Sequence, residues 1–318
     1  MPKLESQKPV PAEARSVVRR AGLRHVSGET PGLTREPLKP LPEGETPAAN
    51  AFRYRDAKGR VIRDADVLAR IRQLAIPPAW QQVWICPHDN GHLQATGRDA
   101  RGRKQYRYHA AWQQGRGETK FDSMRQFGQV LPRVRRRVER ELSATRRGPT
   151  HDRVLAALVR LLDTTWMRIG NAEYARSNRS YGLSTLKRRH AGVQGNDVRL
   201  AFRGKSGVQH EARITDRRVV RLVRRCRELP GQSLFQYVDD DGTVRKIDSS
   251  DVNDWLAEAA GTHVTAKDFR TWHGSVLALE LTLAACAENA DACKPTDVLR
   301  AVAQRLGNTP AVCKKAYI

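Results

Sequence analysis

Between Thr215 and Leu229 the apolar residues Val219, Leu222, Val223 and Cys226 fall at i, i+3, i+4 and i+7, the spacing of a single helix face. The other faces carry Arg217, Arg218, Arg221, Arg224, Arg225 and Arg227. Such a helix can bury one stripe only, so it must lie on the outside of a core and turn a cationic surface away from it. A second crowd, Arg133, Arg135, Arg136, Arg137 and Arg140, brackets Val134 and Val138, again four apart. Positive charge therefore belongs to folded elements rather than to a tail. Across all 318 residues, 57 Lys and Arg stand against 34 Asp and Glu, a formal net charge of +23. A single run of this kind reads as a solvated face; several on folded elements point to phosphate contact, with nucleic acid as the first partner. An acidic membrane is the weaker partner, because no run approaches the roughly 18 apolar residues of a span and no terminal basic amphipathic helix or lipidation signal is present.

At about 150 residues per domain the length predicts two domains. Residues 1–20 are expected to form a flexible tail, with no apolar stretch of the kind a secretory signal needs. Residues 21–110 are expected to form a small strand-rich domain. Within it Phe52–Arg55 and Gly59–Ile62 read as a hairpin around Asp56-Ala57-Lys58, after an extended lead-in up to residue 50. Asp64–Leu74 reads as a helix stopped by Pro77-Pro78, and Val83–Cys86 and His92–Thr96 as strands around a His88–Gly91 turn. Residues 111–318 are expected to form a larger, mainly α-helical domain containing a short antiparallel sheet, which makes the chain α+β. Its clearest helix is His151–Met167. Its expected strands are Ser184–His190, Asp197–Phe202 and Val208–Thr215, the last two around Gly204-Lys205-Ser206-Gly207. Four more helices are predicted to start near Ser250, Thr265, Thr296 and Thr309. Five scattered cysteines without a C-x-x-C pair indicate a reducing, cytoplasmic setting.

Several motifs fail on inspection. Gly204-Lys205-Ser206 mimics the end of a phosphate-binding loop, but the required earlier glycine would fall at Arg199 and the segment that follows reads as strand. Cys86, His88 and His92 lack a second ligand pair. Asp239–Asp241 before Gly242 reads as a hairpin turn rather than a Mg²⁺ site. No G-x-S-x-G or H-E-x-x-H occurs. No cofactor, metal or nucleotide is therefore expected. Phosphate chemistry without them needs arginine, which holds its charge and donates two parallel bonds to phosphate oxygens, together with a nucleophile and a proton donor.

From about Leu23 to Ile318 an ordered set of motifs supplies those groups. It runs Ile76-Pro77-Pro78-Ala79-Trp80, Gly91-His92-Leu93-Gln94-Ala95 and Gly102-Arg103-Lys104-Gln105-Tyr106-Arg107-Tyr108-His109. It continues with Arg168-Ile169-Gly170-Asn171, Gly204-Lys205-Ser206-Gly207, Lys267-Asp268-Phe269-Arg270-Thr271, Leu306-Gly307-Asn308-Thr309-Pro310 and Ala316-Tyr317. In this the chain resembles type IB DNA topoisomerases, in particular their compact poxvirus-like bacterial branch. The resemblance implies a two-domain clamp on duplex DNA, working as a monomer, that nicks one strand, permits rotation and religates. It implies Tyr317 as the nucleophile forming a 3′-phosphotyrosyl link, and Arg168 and Arg270 as the pair on the non-bridging oxygens. Lys205 is implied as the proton donor to the 5′ oxygen, and Lys267 as its support. Asn308 stands where many relatives carry His; it can donate a hydrogen bond but carries no charge. His273, near Arg270, is expected to pack or support. DNA contacts are implied for Lys104, Tyr106, Arg107 and Tyr108, and for Arg203 and Ser206 beside Lys205. Relatives usually continue with further helix after the position of Tyr317. Two other readings stay open on the sequence alone. A tyrosine recombinase or integrase uses similar chemistry but normally shows His-x-x-Arg where this chain has Lys267-x-x-Arg270. A non-catalytic architectural DNA-binding protein would be satisfied by the charge.

Overall fold

A computed structural model describes residues 17–39, 47–48, 51–100, 102–144, 148–288 and 294–317. Of the tail expected over residues 1–20, residues 1–16 lie outside the described residues; Val17 and Val18 are buried together with Trp112. The chain divides between Ser123 and Met124 into two compact units.

The N-terminal unit is built on a five-stranded antiparallel sheet of β1 (Leu33–Pro37), β2 (Phe52–Arg55), β3 (Gln81–Ile85), β4 (Leu93–Arg98) and β5 (Lys104–Tyr108), in the order β2-β1-β3-β4-β5. Its core is Leu33, Ile71, Val83, Ile85 and Ala95. The expected hairpin over residues 52–62 is present in a short form: Asp56 N–H donates to Arg60 O and Ile62 N–H to Tyr54 O, both at 2.9 Å, and a bridge joins Arg55 to Val61. Asp56 Oδ1 fixes its turn, accepting from Lys58 N–H and Arg60 N–H. The full ladder of Phe52–Arg55 runs along its other edge, with Leu33–Pro37 in the register Thr34↔Arg55 to Pro37↔Phe52. Asp64 caps α1 (Ala65–Gln73), its Oδ1 accepting from Asp66 N–H at 2.9 Å and Val67 N–H at 3.0 Å. Two of the sequence motifs are scaffolding. The Ile76–Trp80 loop wraps its carbonyls around the Arg35 guanidinium, which donates to Ile76, Pro77 and Trp80 oxygens at 2.7–3.2 Å. Buried Gln94 pins the His88–Gly91 turn through three carbonyls at 2.7–3.1 Å, while Arg70 donates to its Oε1 at 2.9 Å.

The second unit is mainly helical. It contains the C-terminal part of α2 (Ala110–Ser143), then α3 (His151–Thr165), α4 (Ala172–Asn178), α5 (Arg217–Glu228), α6 (Ser249–Ala260), α7 (Ala266–Glu288), α8 (Pro295–Leu306) and α9 (Pro310–Ala316). Its sheet is antiparallel β6 (Ala191–Gln194), β7 (Asp197–Arg203) and β8 (Gln209–Ile214), and a small hairpin pairs β9 (Gln236–Val238) with β10 (Val244–Lys246). The apolar face of α3 is fully enclosed: Val154, Leu155, Leu158, Leu161 and Leu162 are all buried, against Phe127 and Phe269 among others. Helix α5 buries Val219, Leu222, Val223 and Cys226 as the spacing predicts, with Val220 in addition. The strand expected over Ser184–His190 is replaced by two 3₁₀ turns, Leu183–Thr185 and Arg188–His190, with the strand starting at Ala191. Leu183 N–H and Ser184 N–H are committed to the carbonyls of Arg168 and Ile169, at 2.9 and 2.7 Å, so they cannot join a ladder. Among the described residues no helix is long and apolar enough to cross a membrane.

Candidate active site

The second unit brings buried Arg270 and Tyr317 together with half-buried Arg168 and Asn308 in one cluster, and the local sequence at each shows how. Helix α3 ends because Trp166 turns left-handed, φ 59°, which points the chain out of the helix two residues before Arg168. The Arg168 and Ile169 carbonyls are held by the 3₁₀ turn at Leu183–Thr185. Gly170 must be glycine on two counts: its φ is +96°, and a Cβ there would lie 3.0 Å from Gly182 Cα. Asn171 then caps α4, its Oδ1 accepting from Glu173 N–H at 2.9 Å and Tyr174 N–H at 3.1 Å. The Arg168-Ile169-Gly170-Asn171 motif is thus a device for presenting one arginine from a fixed backbone.

The other groups come from helix ends. Gly307, φ 59°, closes α8, and Thr309 caps α9 with Pro310 in its first turn. Between the two helices only Asn308 is left, and its Oδ1 accepts from Arg168 Nη2. Helix α9 places Cys313 and Tyr317 four residues apart, and the Tyr317 carbonyl is tied to Ser275 Oγ at 2.7 Å. Arg270, from the first turns of α7, is 4% exposed and donates to the carbonyls of Trp166 and Leu306. Its guanidinium lies 5.8 Å from the centre of the Tyr317 ring.

The electrostatics of this cluster are unusual. Among the described residues neither Arg168 nor Arg270 forms an ion pair, yet Arg270 is buried and Arg168 is half-buried with its Nη1 enclosed. Burial first, and then the charge of Arg270, push the Arg168 guanidinium down to about 10, still cationic at neutral pH. Arg168 Nη1, Arg270 Nε and Asn308 Nδ2 are buried nitrogens that close no well-formed hydrogen bond. Burial pushes the Tyr317 phenol up, but the charge of Arg270, hydrogen bonding from its guanidinium, the charge of Arg168 and a contribution from Asn308 pull it below its ordinary value. Uncompensated buried donors and like charges are costly unless an anion completes them. The cluster is built to receive an oxyanion beside a phenol.

Other expected residues sit outside this cluster. Lys205 is exposed at the tip of the β7–β8 hairpin, where Ser206 and Gly207 are both left-handed, φ 62° and 82°. Gly204 N–H closes the tip onto Val208 O at 2.7 Å. Arg203 and Ser206 are exposed beside it. Lys267 precedes Arg270 by one turn of α7 but is exposed where Arg270 is buried, so the two do not share surroundings. His273 Nε2–H donates to Asp163 Oδ1 at 2.9 Å, and the ring stacks on Trp166 at 5.0 Å between ring centres. Asp163 also takes a bidentate pair from Arg135 at 2.8 and 3.0 Å. In the N-terminal unit, β5 carries Lys104, Tyr106 and Tyr108 on one face, with the two tyrosine rings stacked 6.0 Å apart and Lys104 over Tyr106. Arg107 faces the other way and donates to Ala75 O at 2.8 Å. Cys86 and His92, weighed above as metal ligands, are buried, and His92 Nδ1 accepts from Val26 N–H at 3.2 Å. Among the described residues no group of three or more His, Cys, Asp or Glu is placed to hold a metal.

Sequence reasoning missed three neighbours of the cluster: Trp166, Cys313 and His210. Cys313 is fully buried, and its thiol is raised by burial despite the nearby Asn308, Arg270 and Arg168. His210 occupies the inward phase of β8 with Ala212 and Ile214, a slot that reads as apolar by alternation.

Comparison with known proteins agrees with this geometry. Residues 109–317 match the family described as eukaryotic DNA topoisomerase I, catalytic core, and residues 51–99 match bacterial DNA topoisomerase IB, N-terminal domain. DNA topoisomerase 1B of Acanthamoeba polyphaga mimivirus is 31% identical over 263 residues, covering 79% of this chain and 77% of the viral protein. DNA topoisomerase 1B of vaccinia virus (strain Copenhagen) is 26% identical over 117 residues, 36% of each chain. DNA topoisomerase 1 of Mycosarcoma maydis is 26% identical over 175 residues, 49% of this chain and 17% of the fungal one. The catalytic-core match spans well over half of the chain and takes in every member of the cluster, so the chain belongs to the type IB DNA topoisomerases.

Proposed function

We propose that this protein relaxes supercoiled duplex DNA through a 3′-phosphotyrosyl intermediate on Tyr317. The Tyr317 oxygen attacks a backbone phosphorus, the bond from phosphorus to the 5′ oxygen breaks, and Lys205 delivers a proton to that departing oxygen. The cut strand rotates, and the free 5′-hydroxyl then attacks the phosphotyrosine, returning the phenol. Bond energy is kept in the covalent link, so religation needs no external energy source. Arg168, the free N–H groups of Arg270 and Asn308 Nδ2 bind the non-bridging oxygens, whose negative charge grows in the transition state. Lys267 supports the proton transfer from its exposed position on α7. Lys104, Tyr106, Tyr108, Arg203 and Ser206 make backbone contacts with the duplex, and Arg107 contributes through its charge.

The observation that carries this reading is the gathering, around a phenol whose ionisation they favour, of Arg168, Arg270 and Asn308, each with one buried nitrogen that closes no well-formed hydrogen bond. The match to a topoisomerase core favours it over recombination and over passive DNA binding. The test is relaxation of negatively supercoiled plasmid in EDTA without ATP, with Tyr317→Phe as control. Relaxation by the wild type, none by Tyr317→Phe, and a DNA adduct mapped to Tyr317 by mass spectrometry are expected. An adduct on another residue, or equal relaxation by the variant, would overturn it.

A further inference from the structure

His210 stands in β8 directly opposite Phe202 and stacks on it, with ring centres 5.5 Å apart and planes 26° from parallel. Its far side meets two backbones from different parts of the fold. A Cβ at Gly204, the residue before Lys205, would lie 2.7 Å from His210 Nε2. A Cβ at Gly307, the residue before Asn308, would lie 2.8 Å from His210 Cε1. Both backbones therefore touch the ring at glycine distance, and the imidazole fills the gap between them. The ring makes no hydrogen bond among the described residues, and it lines an open cavity of about 480 Å³ together with Arg270, Trp166 and Arg305. Burial, then the charges of Arg168 and Arg270, push it below the ordinary imidazole range, so it enters the site uncharged. A neutral ring with no bonded partner, wedged between two glycines, contributes shape.

We propose that His210 is a positioning residue, the spacer that sets the Lys205 hairpin tip against the Gly307–Asn308 turn. The tip's other ties among the described residues are few. Lys205, Ser206 and their side chains are exposed, and besides the backbone bonds among Gly204, Lys205, Gly207 and Val208 there are Tyr181 N–H to Arg203 O at 2.9 Å and the Val208 methyl, which lies 3.5 Å from where a Cβ at Gly307 would stand. Without a wedge beneath Gly204, the tip can settle toward Gly307 and carry the ammonium of Lys205 off the departing oxygen. A displacement of about 1 Å is enough to weaken proton transfer strongly. Because Asn308 also follows from the far side of the wedge, one ring sets the spacing between a proton donor and a phosphate-binding group. This role rests on the reading of Lys205 as proton donor.

The experiment uses the full chain and two duplex substrates that trap the cleaved strand, measured in single turnover. One has the natural 5′ oxygen as leaving group; the other has sulfur in that bridging position, a thiolate that departs without being protonated. For His210→Ala, cleavage of the oxygen substrate is expected to fall on the order of 10²-fold, with the sulfur substrate cleaved within a few-fold of wild type. Gly204→Ala, which drives a Cβ into the ring, should reproduce that split. Lys205→Ala is the control for the underlying reading and should also be rescued by sulfur. If Lys205→Ala is not rescued, the proton-donor reading fails and takes this role with it. If Lys205→Ala is rescued while His210→Ala slows both substrates equally, or slows neither, the proton-donor reading stands and the spacer role is overturned. Cleavage of the sulfur substrate also reports that each variant is folded.

Discussion

Half-buried Arg168 and buried Arg270 lie together with no ion-pair partner among the described residues, an arrangement that costs stability and is useful only when an anion arrives. Asn308 is the group best placed to expose that trade. It accepts from Arg168 and leaves its own Nδ2 free for a phosphate oxygen. Asn308→Asp would keep the acceptor, remove the donor and give Arg168 a counterion. The variant is expected to be about 1 kcal/mol or more stabler, yet slower in single-turnover cleavage by on the order of 10²-fold or more. Thermal melting and trapped-adduct kinetics check the two halves, and a destabilised or fully active variant contradicts the account. Tyr317 offers a second check. Its phenol lies below the ordinary value because cations stabilise the phenolate, so removing one must move ionisation upward. In Arg168→Ala the acid limb of the cleavage-rate profile should therefore shift to higher pH, and an unmoved limb would detach the two residues. At this scale Arg168, Arg270, Lys205 and Tyr317 were readable only through an ordered set of motifs, since each alone is an ordinary residue of its type. His210 was hidden by strand alternation, which marks its slot as apolar. Trp166 was hidden because no propensity rule announces a left-handed tryptophan at a helix end.

Periodicity was a good guide to elements whose partners are their own core, and a poor one where backbone groups are claimed from far along the chain. Helices α3 and α5 follow their apolar stripes closely, whereas Ser184–His190 looks like a strand until Ile169 takes the amide of Ser184 and Arg168 that of Leu183 just before it. Strand β1 was invisible because the residues that make it a ladder, Phe52–Arg55 and Trp84-Ile85, lie well downstream. The contact of Gly170 with Gly182 joins these two lessons, because it fixes the Arg168 backbone to that 3₁₀ turn. A Cβ at position 182 would fall 2.5 Å from Gly170 Cα and 2.6 Å from Arg168 O, against backbone that cannot yield. Gly182→Ala is expected to cost about 1–3 kcal/mol and to lower cleavage more than DNA binding, as denaturant unfolding and filter binding would show. Asp163 makes a further tie, from α3 to His273 on α7 and Arg135 on α2. Burial raises its carboxyl, but hydrogen bonds from His273 and Arg135 win and hold it at about 2, below the usual 3.8. A carboxyl depressed in the folded state stabilises fully above its unfolded value and loses that contribution as pH falls through its folded one. The difference is on the order of 2 kcal/mol. The gap in unfolding free energy between wild type and Asp163→Asn should accordingly shrink by most of that amount between pH 5 and pH 2.

For the whole molecule, the net charge of +23 identifies a polyanion without saying which cations meet it. Part of the arginine is committed internally: Arg135 to Asp163, Arg137 to Glu258, and Arg218 to Asp216 and Glu139. Two of those residues, Arg135 and Arg137, belong to the densest run in the sequence, so local crowding of charge was not a measure of DNA contact. Half-buried Arg168 and buried Arg270 form a second class, expected to act on one phosphate. A third class, with Lys104, Arg203, Lys205 and Lys267 in it, is exposed, and its effect is set by counterion release. Each phosphate neutralised by a Lys or Arg contributes about 0.9 to the slope of log affinity against log salt. The classes then separate in one titration of DNA affinity by fluorescence anisotropy. Lys104→Ala removes an exposed cation beside Tyr106, and should lower the slope by about 1. Arg135→Ala removes a cation already neutralised by Asp163, and should leave the slope unchanged while destabilising the fold. Tyr317→Phe removes no charge, and should leave both affinity and slope unchanged while abolishing the covalent adduct. If Arg135→Ala flattened the slope as much as Lys104→Ala, internal pairing would not be what divides the basic residues.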